Sequence, residues 1–402
     1  MTVLKLDLLQ TLTLAALVYF AGIQLRTRIK WLDRLNIPSA VIGGLLFTFV
    51  VLLLHDRVLT LQLDTALQPL LSVAFFTSIG MGASLALLRA GGIQVLIFLL
   101  FSTVFCFVQN LLGMSIAKAF GENPLLGVMA GSVTLVGGPA TGLAFAPIFE
   151  QAGLAGAGVL AVTAATAGIV CGGLVGGPVG TYLIRRFGLA PRSASKAELK
   201  DELDTSPETL VVEIDREDSS LIRNLVVLAL AMVLGSVVSG YIQSLGVTLP
   251  AYIGAMMVAS VLRNVDDGTG WLAIDQQTME FVGNLALNIF LVVALMNLKL
   301  WELAHLAGPL VVILVAQVLV VLLFAATVSF RLMGRDYDSA VMSSGFVGFV
   351  LGTTANAVAN MRALVVRFGP APRAFLVVPL VGAFFIDFTN ALIITVFVNW
   401  LK

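Results

Sequence analysis

Two polar tracts rich in glycine and threonine interrupt an otherwise strongly apolar chain. One is GSVTLVGGPATG at residues 131–142, and the other is SGFVGFVLGTTAN at residues 344–356. A helix that begins inside such a tract leaves roughly four backbone N–H groups without partners, and its dipole attracts an anion. Glycine lets a solute reach the backbone, and threonine can cap the helix or bind the solute. The tracts therefore predict a site for a small anionic solute such as a carboxylate.

The predicted solute-binding residues lie in or just after the two tracts. They are Gly137, Gly138, Thr141, Gly142, Gly352, Thr353, Thr354, Asn356, Asn360 and Arg362. Arg362 either pairs bidentately with a carboxylate or faces cytoplasmic water near the end of its segment. The alternative for both tracts is small-residue packing between helices. Their occurrence at corresponding places in two halves of the chain favours a transporter binding site.

The last apolar stretch contains one isolated carboxylate. Asp387 lies near its middle, where a charge costs about 2.5–3.5 kcal/mol by insertion scales unless it has a partner. No lysine or arginine is near it in the sequence, so Na⁺ or a proton would be the natural partner. The alternative is a protonated or hydrogen-bonded structural aspartate. With Thr389, Asn390 and Asn110, Asp387 is predicted to form a sodium site.

Polar amides also occur at similar places in the two halves. Gln109 and Asn110 lie in the fourth predicted span, and Gln317 lies in the ninth. These side chains either coordinate an ion or bond to one another across helices, and the sequence alone does not separate the two possibilities.

The composition is that of a membrane protein. Charged residues make up 11% of the chain and hydrophobic residues 59%, whereas soluble proteins have about 25% charged residues. Many apolar stretches approach the length of about 20 residues that crosses a bilayer. The zero net charge gives no indication of nucleic acid binding. The two histidines and two cysteines are too scattered for a metal cofactor, and no nucleophile–base pair suggests an enzyme.

The fold class predicted is all-α and polytopic, with ten transmembrane helices in two inverted repeats of five. The spans are 7–25, 38–54, 66–88, 93–117 and 156–184, then 221–242, 249–262, 278–297, 307–332 and 374–400. The segments 124–155 and 336–372 hold the two tracts and are predicted to be re-entrant hairpins. The first repeat covers 1–187 and the second covers 221–402. Between them, residues 188–220 form an acidic linker.

The orientation follows from the positive residues. With both termini outside, most of the 23 lysines and arginines fall in cytoplasmic loops, and the linker is cytoplasmic. An odd number of spans per half inverts the second half relative to the first. One hairpin then enters from outside and the other from the cytoplasm, so that their tips can meet near the midplane.

Several stretches resemble the bacterial sodium/glutamate symport carriers, the glutamate:sodium symporter family, over essentially the full chain. They are AFFTSIG at 74–80, AGSVTL at 130–135 with the glycines and threonine that follow, LMNLKLWEL at 295–303, AVANM at 357–361 and FLVVPLVGAFFID at 375–387. The resemblance implies a homodimeric, ten-helix inverted-repeat carrier of the inner membrane that takes up L-glutamate with Na⁺ as coupling ion and no other cofactor. Composition and spacing alone reach only a secondary transporter for a small anionic solute.

Other functions remain open at this point. The first alternative is a Na⁺-coupled carrier of another carboxylate, such as a di- or tricarboxylate; a channel or a membrane enzyme would be a different class. The chain also departs from the family pattern. It has Pro139-Ala140 where family members carry His-Gly, and Phe346 lies near the position of a family histidine. Both departures make the presumed site less polar.

The predicted orientation can be tested with introduced cysteines. Asp64→Cys is expected to react with a membrane-impermeant thiol reagent on intact cells, whereas Ser193→Cys is expected to react only after permeabilisation. The unmodified chain serves as control, because its two cysteines lie inside predicted spans. Labelling of Ser193→Cys but not Asp64→Cys on intact cells would reverse the orientation.

Overall fold

The computed structural model describes residues 2–54, 59–190, 218–299 and 307–401. The elements of the first half are β1 (Thr2–Leu6), α1 (Leu8–Arg28), α2 (Lys30–Arg34), α3 (Ser39–Leu54), β2 (Leu59–Leu63), α4 (Gln68–Gly82), α5 (Leu85–Ala90), α6 (Gly92–Ala119), α7 (Pro124–Val128), α8 (Gly138–Gln151) and α9 (Ala157–Arg186). Those of the second half are α10 (Asp218–Ser244), α11 (Ala251–Thr269), α12 (Gln276–Met296), α13 (Ala307–Phe324), α14 (Phe330–Leu332), α15 (Tyr337–Leu351), α16 (Thr354–Phe368), α17 (Pro372–Leu380) and α18 (Ile386–Leu401). Residues 191–217, most of the predicted linker, lie outside the described residues.

Six of the described helices are long and apolar enough to cross a membrane. They are Leu8–Arg28, Gly92–Ala119, Ala157–Arg186, Ser220–Ser244, Gln276–Met296 and Ala307–Leu332. The chain is therefore a polytopic helical membrane protein. The other four predicted spans are also helical but shorter, less apolar or interrupted.

Three of the predicted spans contain interruptions that the sequence pattern did not reveal. The span 307–332 has a π-helical turn at Ala325–Ser329. The span 66–88 divides into α4 and α5, because Ser84 caps α5 by accepting from the Leu87 amide and also donates to Asp267. The span 374–400 contains a π-helical turn, Val381–Phe385, between α17 and α18. Such turns are frequent at functional sites.

Two strands of the first half, one before α1 and one after α3, form a short parallel β-ribbon. Strand β1 pairs with β2, with Leu4 opposite Leu61. No strand was predicted here, because the ribbon depends on pairing between segments far apart in the sequence. The following helix begins where predicted: Asp7 accepts from the Gln10 amide and its own amide donates to the Gln10 side chain.

The helices form two bundles. One contains α1, α3, α4, α10, α11 and α12, and the other is built from α6 to α9 and α13 to α18. The bundles meet where Phe145 of α8 packs against Tyr252 of α11, with ring centroids 5.3 Å apart. Both broken segments belong to the second bundle, which therefore contains the candidate site.

An aromatic cluster fills the interior of the second bundle. Phe346 of α15 is fully buried, and its ring centroid lies 5.4 Å from those of Phe105 and Phe324. The position where this chain departs from the family pattern is thus packed in the core. Phe346 lies about 7.5 Å along the helix axis from the end of α15, since each residue rises about 1.5 Å.

Candidate functional site

The first broken segment departs from helical geometry within the first glycine-rich tract. Helix α7 runs into a π-helical turn, Met129–Val133, in which Gly131 has φ −100° and ψ −134°. The chain becomes helical again at Gly138, whose φ of 66° favours glycine. Pro139 follows in the first turn of α8, where its missing N–H is no loss.

The second broken segment has a simpler geometry. Helix α15 ends at Leu351, and Gly352 adopts φ −149° and ψ −96°. Thr353 then caps α16, because its hydroxyl oxygen accepts from the Asn356 amide at 3.3 Å. The glycine and the capping threonine are the residue types expected at such a restart.

The two helix beginnings lie next to each other. A Cβ atom placed on Gly138 would be 3.8 Å from the Gly352 carbonyl oxygen. The first turns of α8 and α16 are therefore adjacent, and they carry most of the predicted solute-binding residues. Gly137, Thr353 and Thr354 are half-buried, whereas Gly138, Thr141 and Gly352 are buried. The Thr354 hydroxyl donates to the Gly382 carbonyl at 2.6 Å.

Helix α9 supports the second broken segment along a stripe of glycines. The stripe comprises Gly168, Gly172, Gly176 and Gly180. A Cβ atom on Gly168 would lie 2.2 Å from the Leu351 carbonyl oxygen, so the close approach requires glycine. The Asn356 side-chain NH₂ donates to the Ile169 carbonyl at 2.8 Å, and that of Asn360 donates to Gly172 at 2.9 Å. These amide donors are thus occupied by α9, while Asn356 Oδ1 is buried without a partner among the described residues.

Two other predicted solute residues lie away from the helix beginnings. A Cβ atom on Gly142 would be 2.8 Å from the Ala161 side chain, so this face of α8 packs against α9. Arg362 is half-buried and already has an interaction partner. It lies about 12 Å along α16 from Thr354, at about 1.5 Å per residue.

Two of the predicted sodium residues, Asn110 of α6 and Asn390 of α18, meet at the first broken segment. Asn110 Oδ1 accepts from the Ser132 amide, and the Asn390 side-chain NH₂ donates to the Ser132 carbonyl, both at 2.9 Å. The Thr389 hydroxyl is 3.0 Å from that of Thr103 on α6.

Several oxygens of this cluster have no partner in the described part of the chain. Asn390 Oδ1 and Ser132 Oγ are buried without a hydrogen bond. The half-buried carboxylate of Asp387 has no hydrogen bond or ion pair to a described residue. Carboxylate, amide and hydroxyl oxygens are the ligands that hard cations prefer. The oxygen of Asn110 already accepts one hydrogen bond, from the Ser132 amide, and keeps its second lone pair, whereas its NH₂ is buried without a partner among the described residues.

The paired glutamines both bond across helices. The Gln317 side-chain NH₂ donates to the Gln109 carbonyl at 2.7 Å, and the Gln109 side-chain NH₂ donates to the Val350 carbonyl at 3.2 Å. These bonds define the orientation of both amides. The side-chain oxygens of Gln109 and Gln317 are buried and have no partner among the described residues.

An ion pair and a hydrogen bond join the start of α15 to the residues that follow α16. The Arg373 guanidinium pairs with Asp336, and the Tyr337 hydroxyl donates to the Gly369 carbonyl. Burial alone would raise the pKa of Asp336, but bonds from the Ser339 amide and Arg373 lower it below the ordinary carboxyl value. Asp336 therefore contributes stability above the ordinary carboxyl pKa, and loses it only as the pH falls through the lowered value.

Three contributors to the site were not predicted from the sequence. Ser132 contacts both Asn110 and Asn390 through its backbone, and Gly382 accepts from Thr354. No sequence signal identifies these two residues, since the contacts that place them in the site are made by their backbones. The glycine stripe of α9 could have been found, because four glycines recur at every fourth position.

Two broken helices that begin side by side inside a polytopic helical bundle are typical of secondary transporters. The chain belongs to the sodium/glutamate symporter family: the family model described as sodium/glutamate symporter matches residues 4–370. The sodium/glutamate symporter of Escherichia coli K12 is 39% identical over 396 residues, covering 98% of this chain and 97% of the relative. That of Haemophilus influenzae is 37% identical over 392 residues, covering 96% of each chain. Membership of this family makes the protein a transporter rather than an enzyme.

Two neighbouring glycines of α9 provide a matched test of the packing against the second broken segment. In Gly176→Ala the new methyl would lie 2.0 Å from Asn360 Nδ2, whereas Gly177→Ala would meet nothing within 4 Å. Overpacking of this kind costs about 1–3 kcal/mol. We expect Gly176→Ala to lower the melting temperature in detergent and the solute uptake, and Gly177→Ala to leave both unchanged. Equal melting temperatures for the two variants would contradict the described packing.

Proposed function

We propose that this protein is a secondary active transporter that takes up L-glutamate by symport with Na⁺ across the bacterial cytoplasmic membrane. The observation that carries the proposal is the adjacency of the first turns of α8 and α16 at Gly138 and Gly352. Two helix N-termini that meet inside a membrane protein present unpaired N–H groups and positive dipole ends to one anion. The relatives named as sodium/glutamate symporters support the choice of both solutes.

In this proposal the glutamate carboxylates are bound at the first turns of α8 and α16. Their proposed ligands are the backbone N–H groups of Gly138, Gly352, Thr353 and Thr354 and the hydroxyl of Thr141. Gly137 is proposed to shape the turn, because its own N–H donates to the Ser132 carbonyl, and the Thr354 hydroxyl donates to Gly382. Gly142, Asn360 and Arg362 are proposed to contribute from the surrounding packing, since the first two face α9 and Arg362 lies further along α16.

Asn356 favours an amino acid over a plain di- or tricarboxylate. Its NH₂ is bonded to α9, which leaves the buried Oδ1 as the free group. A free acceptor beside a carboxylate site suits the α-ammonium group of glutamate and would repel a further carboxylate. We therefore propose that Asn356 Oδ1 accepts from the substrate ammonium group.

The coupling ion is proposed to bind beside the first broken segment. Asp387, Asn390 and Ser132 supply the oxygens without partners, and Thr389 and Asn110 complete the surroundings. In this arrangement Na⁺ neutralises a carboxylate that is otherwise costly within the bilayer.

The proposed architecture has ten spans in two inverted repeats, 1–187 and 221–402, each with a re-entrant hairpin. The local geometry of the hairpins supports a repeat: Gly121 and Gly334 both have positive φ, and each precedes by two residues a capping residue, Asn123 or Asp336. Both termini are proposed to lie outside and the linker 188–220 in the cytoplasm. The homodimer is proposed from the family resemblance.

Uptake into proteoliposomes tests the proposed function. We expect an inward Na⁺ gradient to drive accumulation of L-glutamate, and an inside-negative potential to increase it. Each charge moved through 100 mV contributes about 2.3 kcal/mol, so an anion of charge −1 needs about two or more Na⁺ for the potential to help. Glutarate, which lacks the ammonium group, is expected to compete poorly.

Three results would contradict parts of this proposal. Equilibration of glutamate without dependence on Na⁺ would indicate a passive pore. Preferential uptake of glutarate or citrate would indicate a carrier of another carboxylate. Uptake that does not respond to the membrane potential would exclude a transfer of net positive charge.

A further inference from the structure

Gln109 and Gln317 each have a side-chain oxygen that the proposed sodium site at Asp387 does not use. Both glutamines are completely buried, and both oxygens lack a partner in the described part of the chain. We infer that these two amide oxygens and the carbonyl end of α15 bind a second Na⁺. This inference rests on the proposed function and assigns residues to one of its coupling ions.

The orientation of the two amides is defined by their own hydrogen bonds. Each NH₂ is within hydrogen-bond distance of a backbone carbonyl, 2.7 Å for Gln317 to Gln109 and 3.2 Å for Gln109 to Val350. Exchanging O and N in either amide would place an oxygen against a carbonyl oxygen. The free atoms are therefore acceptors, and their ligand must be a hydrogen-bond donor or a cation.

The end of α15 favours a cation over a neutral donor. The helix stops at Leu351, inside the bundle, so its last carbonyls lack partners within the helix. Its C-terminal end carries a partial negative charge. Val350, whose carbonyl accepts from Gln109, is the residue before the last. The free oxygen of Gln109 is therefore held near the negative end of α15, where a cation is favoured.

Helix–helix adhesion alone does not account for the pair. Two glutamines on facing helices can pair amide to amide, which satisfies an oxygen of each. Here both NH₂ groups donate to backbone carbonyls, and both side-chain oxygens lack a partner among the described residues. Neutral amide oxygens are suitable ligands for a hard cation. Secondary transporters also bind Na⁺ through backbone carbonyls at the C-terminal ends of half-helices.

The two proposed cation sites have corresponding positions relative to the broken segments. Asn110 contacts Ser132, at the end of the helical part that precedes the first break. The neighbouring Gln109 contacts Val350, at the end of α15, which precedes the second break. Consecutive residues of α6 thus serve both breaks. One Na⁺ at each break gives two Na⁺ per glutamate, the smallest number that makes uptake respond to an inside-negative potential.

The test is to count Na⁺ in variants of the full-length purified carrier. Equilibrium binding of ²²Na⁺ is measured by scintillation proximity, and Na⁺ activation of glutamate uptake is measured in proteoliposomes. The wild type is expected to bind about two Na⁺ with a Hill coefficient above one, which cannot exceed the number of sites. Gln317→Leu is expected to bind about one Na⁺, with a Hill coefficient near one and about tenfold weaker Na⁺ activation.

Three further variants separate a cation ligand from a structural glutamine. Gln317→Glu retains an oxygen, and its protonated carboxyl can donate to the Gln109 carbonyl as the amide does, so both Na⁺ are expected to be kept. Asp387→Asn is expected to lose the other Na⁺, so that the double variant with Gln317→Leu binds none. Ser115→Ala removes an exposed hydroxyl of α6 that donates to the Leu111 carbonyl of its own helix, and this variant is expected to bind Na⁺ as the wild type does. If Gln317→Leu fails to fold, Gln109→Leu replaces it.

The outcomes distinguish this inference from the proposed function. Two Na⁺ bound by both folded leucine variants, with an unchanged Hill coefficient, would overturn the second site while leaving Na⁺-coupled symport intact. Loss of binding in Gln317→Glu as well as Gln317→Leu would indicate that the amide donor matters, and would also overturn it. Glutamate transport by the wild type without any Na⁺ dependence would instead contradict the proposed function.

Discussion

The arrangement of this bundle depends on one constraint: a backbone group that leaves a helix inside a bilayer must find its partner within the protein. Side-chain amides provide many of these partners. Gln109 and Asn390 donate to carbonyls of the broken segments, and Asn356 and Asn360 donate from the second segment to helix α9. Gln317 in turn donates to the backbone of Gln109. These amides hold the two breaks in place, and the glycines of α9 let the helices approach closely enough for the bonds to form.

The same bonds separate the free acceptors from the free donors. Because the NH₂ groups are bonded to carbonyls, the oxygens of Gln109, Gln317, Asn356 and Asn390 remain without partners in the described chain. The helix beginnings at Gly138 and Thr354 present N–H groups instead. In the proposed carrier, anionic groups bind at the helix beginnings, while the substrate ammonium group and the cations bind at the oxygens. The helical parts that precede the two breaks end in backbone carbonyls, and these negative ends add to the attraction for cations.

The sequence predicted the parts of this arrangement that depend on residue type alone. Glycine and threonine marked both breaks, and a lone Asp387 in an apolar stretch marked the region near the first. It did not predict the π-helical turns at Met129–Val133 and Val381–Phe385 or the backbone role of Ser132, because these depend on tertiary packing. Nor did it show whether the glutamines join helices or bind ions, since that depends on which amide atom remains free.

Substrate protection of cysteines at the two helix beginnings tests the central claim most directly. Thr141 lies in the first turns of α8 and Thr354 begins α16. A small hydrophilic thiol reagent is expected to modify cysteine at either position in an active carrier, and L-glutamate with Na⁺ is expected to slow the modification at both. Protection at neither position, in variants that still transport glutamate, would show that the solute binds elsewhere and that the adjacent glycines serve only for packing.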